Sequence, residues 1–207
     1  MTGHLAVLGG GGHGRVVADC AEACGFAQID LFDDGVSLSA SGPFRIVGTS
    51  TDLMARFSAY DGVIVAIGTN AVRLEQQRVL ERLGARMAVL VHPQASVSRH
   101  ARLGAGTVVF AGGVVSVGSE LGQAVIVNTG ATVDHDCRLA DGVHVAPGAH
   151  LAGGVQAGEG TWIGVGAAVR EYVTIGNRVF VGAGAVVVTS IADDLTVVGN
   201  PARPLRP

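Results

Sequence analysis

Aromatic side chains are scarce in this 207-residue chain, at 4% of residues, and charged ones reach only 15%. With 48% apolar residues beside so little charge, the chain has enough hydrophobic surface to fold, and disorder is excluded. Fourteen basic and seventeen acidic residues leave a formal charge of −3 with no Lys/Arg cluster, so the electrostatic footprint of a nucleic-acid binder is missing. No apolar run is long enough to span a bilayer. The start, "MTGHLAVLGGGG", lacks the basic region of an export signal. Cysteines number three, and Cys20 and Cys24 fall within one expected helix, which points to reduced thiols and a cytoplasmic protein.

What is abundant is glycine, 32 residues, distributed between two kinds of sequence. Residues 1–90 alternate strands and helices. "HLAVLGG", "QIDLFDD" and "GVIVAIGTN" are apolar runs of the buried parallel type. "RVVADCAEACGF" has helical spacing, with Val16, Val17, Cys20 and Cys24 on one side and Gly25 as its C-cap. "AVRLEQQRVLERLGA" places Val72, Leu74, Val79, Leu80 and Leu83 as the apolar set, with Gln and Arg outward and Gly84 closing it. This β-α-β order predicts an α/β domain, a small parallel Rossmann-like sheet covered by helices.

From Val91 to Ile191 the period becomes six. Of the seventeen residues taken every sixth from Val91 to Val187, sixteen are Leu, Ile or Val, Ala157 being the exception. Four positions after each comes a mostly small residue, such as Ala131, Cys137 or Ala149. Neither a strand nor a helix has this period; a chain turning a corner every six residues, three faces per coil, does. A parallel β-helix over 91–191 is expected, with a tail over 192–207. Glycines just after the aliphatic (Gly104, Gly122, Gly158, Gly164, Gly176, Gly182) are expected to make the corners.

Two stretches carry chemistry. "LGGGGHGR" places Gly9, Gly11 and Gly14 between a strand and a helix, where backbone amides face an anion such as a diphosphate. Asp33 and Asp34 end the second strand about twenty residues later, within reach of a ribose. Alone this is a weak dinucleotide fingerprint, open to a ligand-free turn, and nothing after residue 90 supplies a dehydrogenase half. "NTGATVDHDC", Asn128 to Cys137, is the second stretch. Val133 points inward, leaving Asp134, His135 and Asp136 around a corner. Histidine titrates near working pH and a neighbouring carboxylate can fix its tautomer, so His135 reads as a general base with Asp136 as its partner. A solvated corner histidine is the alternative, and Asp134 is read as a surface residue. A metal held by His135, Cys137, His144 and His150 is not expected, because Cys137 takes the small inward position and the spacing fits no closed zinc pattern.

The six-residue units resemble those of the hexapeptide-repeat acyltransferases. With the Gly-Gly-His-Gly domain, "VHPQASV", "NTGATVDHDC" and "VVGNPAR", the whole chain is similar to the subgroup of nucleotide-amino-sugar N-acetyltransferases and sialic acid O-acetyltransferase-like proteins. The resemblance implies a left-handed β-helix, a homotrimer with active sites between subunits, and acetyl-CoA as co-substrate without a metal. It implies a nucleotide-sugar acceptor, a 4-amino-deoxy sugar, with Gly11, Gly12, His13 and Gly14 near the diphosphate. Asp33 and Asp34 would lie near the nucleoside, with Gly68, Thr69 and Asn70 lining the same crevice. His135 and Asp136 take the catalytic roles, and Asn128 lies near the sugar. His144 matches a position contacting the thioester region or the sugar. Gly153 would offer a backbone amide to the thioester carbonyl, with Ala168, Gly184 and Arg203 along the coenzyme path. Sugar O-acetylation, a silent nucleotide-sugar-binding scaffold and a nicotinamide-binding protein are the alternatives.

Overall fold

The computed structural model describes residues 3–35 and 40–205, and these divide into two compact units between Pro93 and Gln94. The first unit holds a five-stranded sheet. Its strands are β1 (His4–Leu8), β2 (Gln28–Phe32), β3 (Ala40–Ser41), β4 (Phe44–Gly48) and β5 (Gly62–Val65), in the order β3-β4-β2-β1-β5. All neighbours are parallel except the β3–β4 hairpin. Helices α1 (Gly12–Ala23), α2 (Ser50–Arg56) and α3 (Asn70–Arg82) connect or follow them. Ala6, Leu8, Phe32, Leu53, Val63, Val65 and Leu80 form one core cluster between sheet and helices. α2, outside the elements read from the sequence, is started by a reciprocal Thr49–Asp52 capping box.

The inward faces of α1 and α3 differ from the apolar sets expected. In α1 the buried stripe is Gly14, Val17, Ala18, Cys20 and Ala21, while Val16 is half exposed. In α3 it is Asn70, Arg73, Leu74, Gln77 and Leu80; Val72 and Leu83 point outward. The cause is geometric. Positions 70, 73, 74, 77 and 80 share one side of a 3.6-residue period, and 72 and 83 lie off it. A buried arginine and glutamine therefore hold positions a polarity reading assigns to solvent.

The second unit is a parallel β-helix of two-residue strands on three faces. The first face stacks Ser96–Val97, Val114–Val115, Thr132–Val133, His150–Leu151, Ala168–Val169 and Val186–Val187. The second runs from Arg102–Leu103 through Arg138–Leu139 to Thr174–Ile175. The third includes Val108–Val109, Ile126–Val127, His144–Val145, Trp162–Ile163 and Phe180–Val181, and continues through Thr196–Val198 into the antiparallel Arg203–Pro204. Up to Val187 each strand pairs in register with the one eighteen residues on, as Val133 does with Val115 and Leu151, and Phe180–Val181 then pairs with Thr196–Val197 after sixteen. The second residue of each pair packs inside, which is why the aliphatic recurs every sixth position. Where the small inward position is polar (Thr107, Ser119, Thr161), the hydroxyl donates to a carbonyl of a neighbouring coil.

The corner glycines are not those expected. Left-handed backbone falls three residues after the aliphatic, at Gly106, Gly112, Gly118, Gly130, Gly142 and onward, with Ala124, Asp136, Tyr172 and Arg178 as non-glycine exceptions in the same phase. The glycines directly after the aliphatic meet a different demand. A Cβ on Gly158 would stand 2.6 Å from the backbone nitrogen of Asn177 and from the carbonyl carbon of Gly176 in the next coil. Gly158→Ala is therefore expected to destabilise the β-helix by about 1–3 kcal/mol. A fall in Tm of about 2–4 °C per kcal/mol checks it by thermal melting.

Candidate active site

In the first unit, the loop after β1 runs into α1 through Gly11 and Gly12, and a Cβ at either would meet nothing within 4 Å. Gly68, beyond β5, is equally open. Gly14 has no such freedom, since a side chain there would strike the carbonyl of Gly9. Two open glycine surfaces thus lie at the carboxyl ends of adjacent parallel strands, where α/β sheets take ligands. Asp33 braces this place. One carboxylate oxygen accepts the Gly10 N–H at 2.6 Å, and the other accepts that of Gly35. Asp34 accepts the N–H of Ser50 at 2.7 Å, at the start of α2.

Asn70 is bonded to the buried Arg73, whose charge also acts on His13. Burial, and secondarily the Arg73 charge, lower the His13 pKa to about 4, so the imidazole is neutral at working pH. The Arg73 guanidinium donates to the carbonyls of Ile67 (3.0 Å) and Gly68 (3.3 Å) and to Oδ1 of Asn70 (2.9 Å). It fixes the turn that presents Gly68. Arg73 was missed in the sequence because it reads as one of the outward arginines of an amphipathic helix.

In the β-helix, the corner from Asp134 to Cys137 joins the first face to the second. Asp134 accepts the N–H of His135 at 2.7 Å, closing the turn. Ser119, one coil earlier, donates to the Asp134 carbonyl at 2.6 Å and accepts the N–H of Cys137 at 3.2 Å. Asp136 occupies the left-handed position with φ 58°, which Asp tolerates better than most residues. That backbone turns its carboxylate onto Nδ1 of His135, at 2.9 Å. The hydrogen bond to Asp136 is the main cause of a raised His135 pKa, assisted by the charges of Asp134 and Asp136. Nε2 is the ring nitrogen not taken by Asp136. It lies above Gly153 of the next coil, where a Cβ would overlap the ring. The Gly153 N–H makes no hydrogen bond among the described residues, while Gly154 donates to the carbonyl of His135 at 2.8 Å. An imidazole, its carboxylate partner and, one coil on, an amide without a hydrogen bond thus share one corner column. Cys137 is fully buried, with its thiol donating to the Ala152 carbonyl, and it serves as packing.

Asn128 and His144 meet elsewhere. Oδ1 of Asn128 accepts the N–H of Thr129, so its amide donates to Nε2 of His144 at 3.0 Å and leaves the proton on Nδ1. His144 is buried on the third face and packs on Trp162 at 4.1 Å between ring centroids; Trp162 in turn stacks on Phe180. Asn128 lies at the corner between the third and first faces, so the width of the first face separates this pair from His135 within one chain. Ala168 lies on that first face. Gly184 is on the same corner column as Gly130, and Arg203 is an exposed residue of the final strand.

Stacked six-residue coils bearing a histidine–carboxylate base define the hexapeptide-repeat acyltransferase class. Residues 4–80 match the family described as the PglD N-terminal domain. Over 99% of its length the chain is similar to the acetyltransferase domain of PglB from Neisseria gonorrhoeae FA1090, solved with acetyl coenzyme A. The two are 46% identical with a TM-score of 0.95, and all of that domain is covered. A histidine mutant of perosamine N-acetyltransferase from Caulobacter crescentus, in complex with CoA and GDP-perosamine, is 38% identical with a TM-score of 0.94. The match covers 100% of this chain and 99% of that one. A 114-residue stretch is 35% identical to UDP-N-acetylbacillosamine N-acetyltransferase of Bacillus subtilis (strain 168). That match covers 52% of this chain and 51% of the relative, about half its length. The chain belongs to the hexapeptide-repeat nucleotide-sugar N-acetyltransferases, with a left-handed β-helix after a small parallel-sheet domain, as the sequence resemblance implied.

Proposed function

We propose that the protein transfers the acetyl group of acetyl-CoA to the amine of a nucleotide-diphosphate-linked amino-sugar, a 4-amino-deoxy sugar. The observation that carries this reading is the His135–Asp136 pair, with the imidazole packed over Gly153, whose N–H makes no hydrogen bond among the described residues. As the neutral amine forms its N–C bond to the thioester carbonyl, Nε2 of His135 accepts the amine proton and Asp136 stabilises the imidazolium. The Gly153 N–H donates to the developing oxyanion. Collapse breaks the C–S bond, and the coenzyme thiolate recovers the proton. No acyl-enzyme is needed, since the nearby thiol of Cys137 is buried.

The nucleotide diphosphate is assigned to the open glycines at Gly11, Gly12 and Gly68, with His13 acting as a neutral hydrogen-bonding group. We assign a homotrimer, in which the Asn128–His144 corner of one subunit faces the His135 corner of another. Its support is the separation of these two groups within one chain. Ala168, Gly184 and Arg203 are assigned to the coenzyme path. Among the described residues no helix is long and apolar enough to cross a membrane, and no disulfide is formed; a cytoplasmic enzyme suits both.

The test is thiol release from acetyl-CoA with a panel of UDP-, GDP- and dTDP-linked amino-sugars and with free sialic acid. Turnover with one or more nucleotide amino-sugars, tracked as an N-acetyl product by mass spectrometry, is expected. Turnover with sialic acid alone would replace this reading by O-acetylation, and tight nucleotide-sugar binding without turnover would make the protein a scaffold.

A further inference from the structure

Among the described residues Tyr172 is the one aromatic in left-handed backbone, at φ 56°, and it is 75% exposed. Bulky residues adopt this conformation only against a steric cost, and glycine fills most equivalent corners. The corner between the third and first faces is glycine at Gly112, Gly130, Gly148, Gly166 and Gly184. The column holding Tyr172 is instead Gly118, Asp136, Gly154, Tyr172, and its other side chain is the partner of the base.

The ring does not merely point to solvent. A Cβ on Gly154 would lie 2.5 Å from Cδ1 and 2.7 Å from Cε1 of Tyr172, so the ring edge rests on Gly154. The Tyr172 N–H donates to the Gly153 carbonyl at 2.9 Å. Three successive coils thus stack the His135 imidazole, the Gly153–Gly154 pair and the Tyr172 ring. A thioester whose carbonyl meets the Gly153 N–H has a methyl group on one side and a long chain on the other. A chain running from Gly153 toward the carboxyl-terminal coils would next meet Tyr172.

We propose that Tyr172 is an acyl-donor-binding residue, its ring forming an apolar platform for the pantetheine arm next to the thioester. This rests on the acetyl-CoA-dependent reading above. An aromatic ring offers a large rigid surface at small entropic cost, which suits a flexible chain of methylene and amide groups.

Tyr172→Gly removes the ring and relieves the backbone, so the variant is expected to fold with an unchanged or raised Tm. Its KM for acetyl-CoA, and its Kd for CoA by calorimetry, are expected to rise about tenfold, with kcat and the nucleotide-sugar KM little changed. Tyr172→Phe should recover most of that affinity. Acetyl-CoA constants within about twofold of wild type in Tyr172→Gly would overturn the proposal. So would a rise confined to the nucleotide-sugar KM, which would make the ring a sugar platform. Absence of CoA binding and turnover in the wild-type protein would instead remove the acetyltransferase reading itself.

Discussion

His135→Ala is expected to lower kcat for acetyl transfer by about 10²–10⁴-fold, the usual contribution of a positioned general base. Kd for CoA should remain near that of wild type, because the imidazole acts on the proton of the attacking amine. The reactive form is the neutral imidazole, and its bond to Asp136 raises the pKa above the ordinary 6.5. Activity should therefore rise with pH through an apparent pKa above that value. Asp136→Asn keeps a side chain that tolerates left-handed backbone but removes the charge. Its acid limb should move to lower pH, because the imidazolium loses its stabilising carboxylate, and its plateau should fall for the same reason. A kcat–pH series for the three proteins checks both shifts. Unchanged turnover in His135→Ala would remove the base assignment.

That corner was legible in the sequence because the repeat fixes the direction of every residue. Once Val127 and Val133 are inward steps, Asn128 and His135 have only the outer surface to occupy, and Cys137 is buried by the same count. The six-residue period could also be read over a hundred residues without a break, since each coil reuses the same three-face geometry. The purpose of the glycines was less legible. Those after the aliphatic respond to the backbone of the next coil, a contact eighteen or so residues away in sequence. The left-handed phase lies two residues further on. The departures from glycine in that phase are Ala124, Asp136, Tyr172 and Arg178, and Asp136 and Tyr172 fall in one column.

In the first unit, hydrophobic runs locate three of the strands and two helices, yet they do not show the inward face of α3. Arg73 is 1% exposed because its guanidinium is satisfied by the carbonyls of Ile67 and Gly68 and by Asn70. No pattern of polarity along the helix announces this, since the acceptors belong to the turn before it. Nor did the sequence show that Asn128 and His144 are bonded to each other. Their relation follows from two strands eighteen residues apart lying side by side on the third face.

Gly153→Ala is expected to reduce kcat by an amount comparable to loss of the base, about 10²-fold or more. The added methyl would occupy space held by Nε2 and Cε1 of His135, so the ring must turn off its bond to Asp136 or the coil must shift. Either movement separates the imidazole from the amide proposed to meet the acyl carbonyl, and a displacement near 1 Å at a reacting centre is costly. The fold should tolerate the change better than the chemistry does. Gly153 is not among the left-handed positions, and the imidazole it would displace is half exposed and free to swing outward. Gly153→Ala should therefore melt close to wild type, in contrast to Gly158→Ala, whose methyl would press on backbone. Measuring kcat, Tm and CoA affinity on these two variants separates a glycine required by the active site from one required by the coil. If Gly153→Ala retained wild-type kcat, the amide beside Nε2 would have no part in acetyl transfer, and the oxyanion would have to be met by another donor.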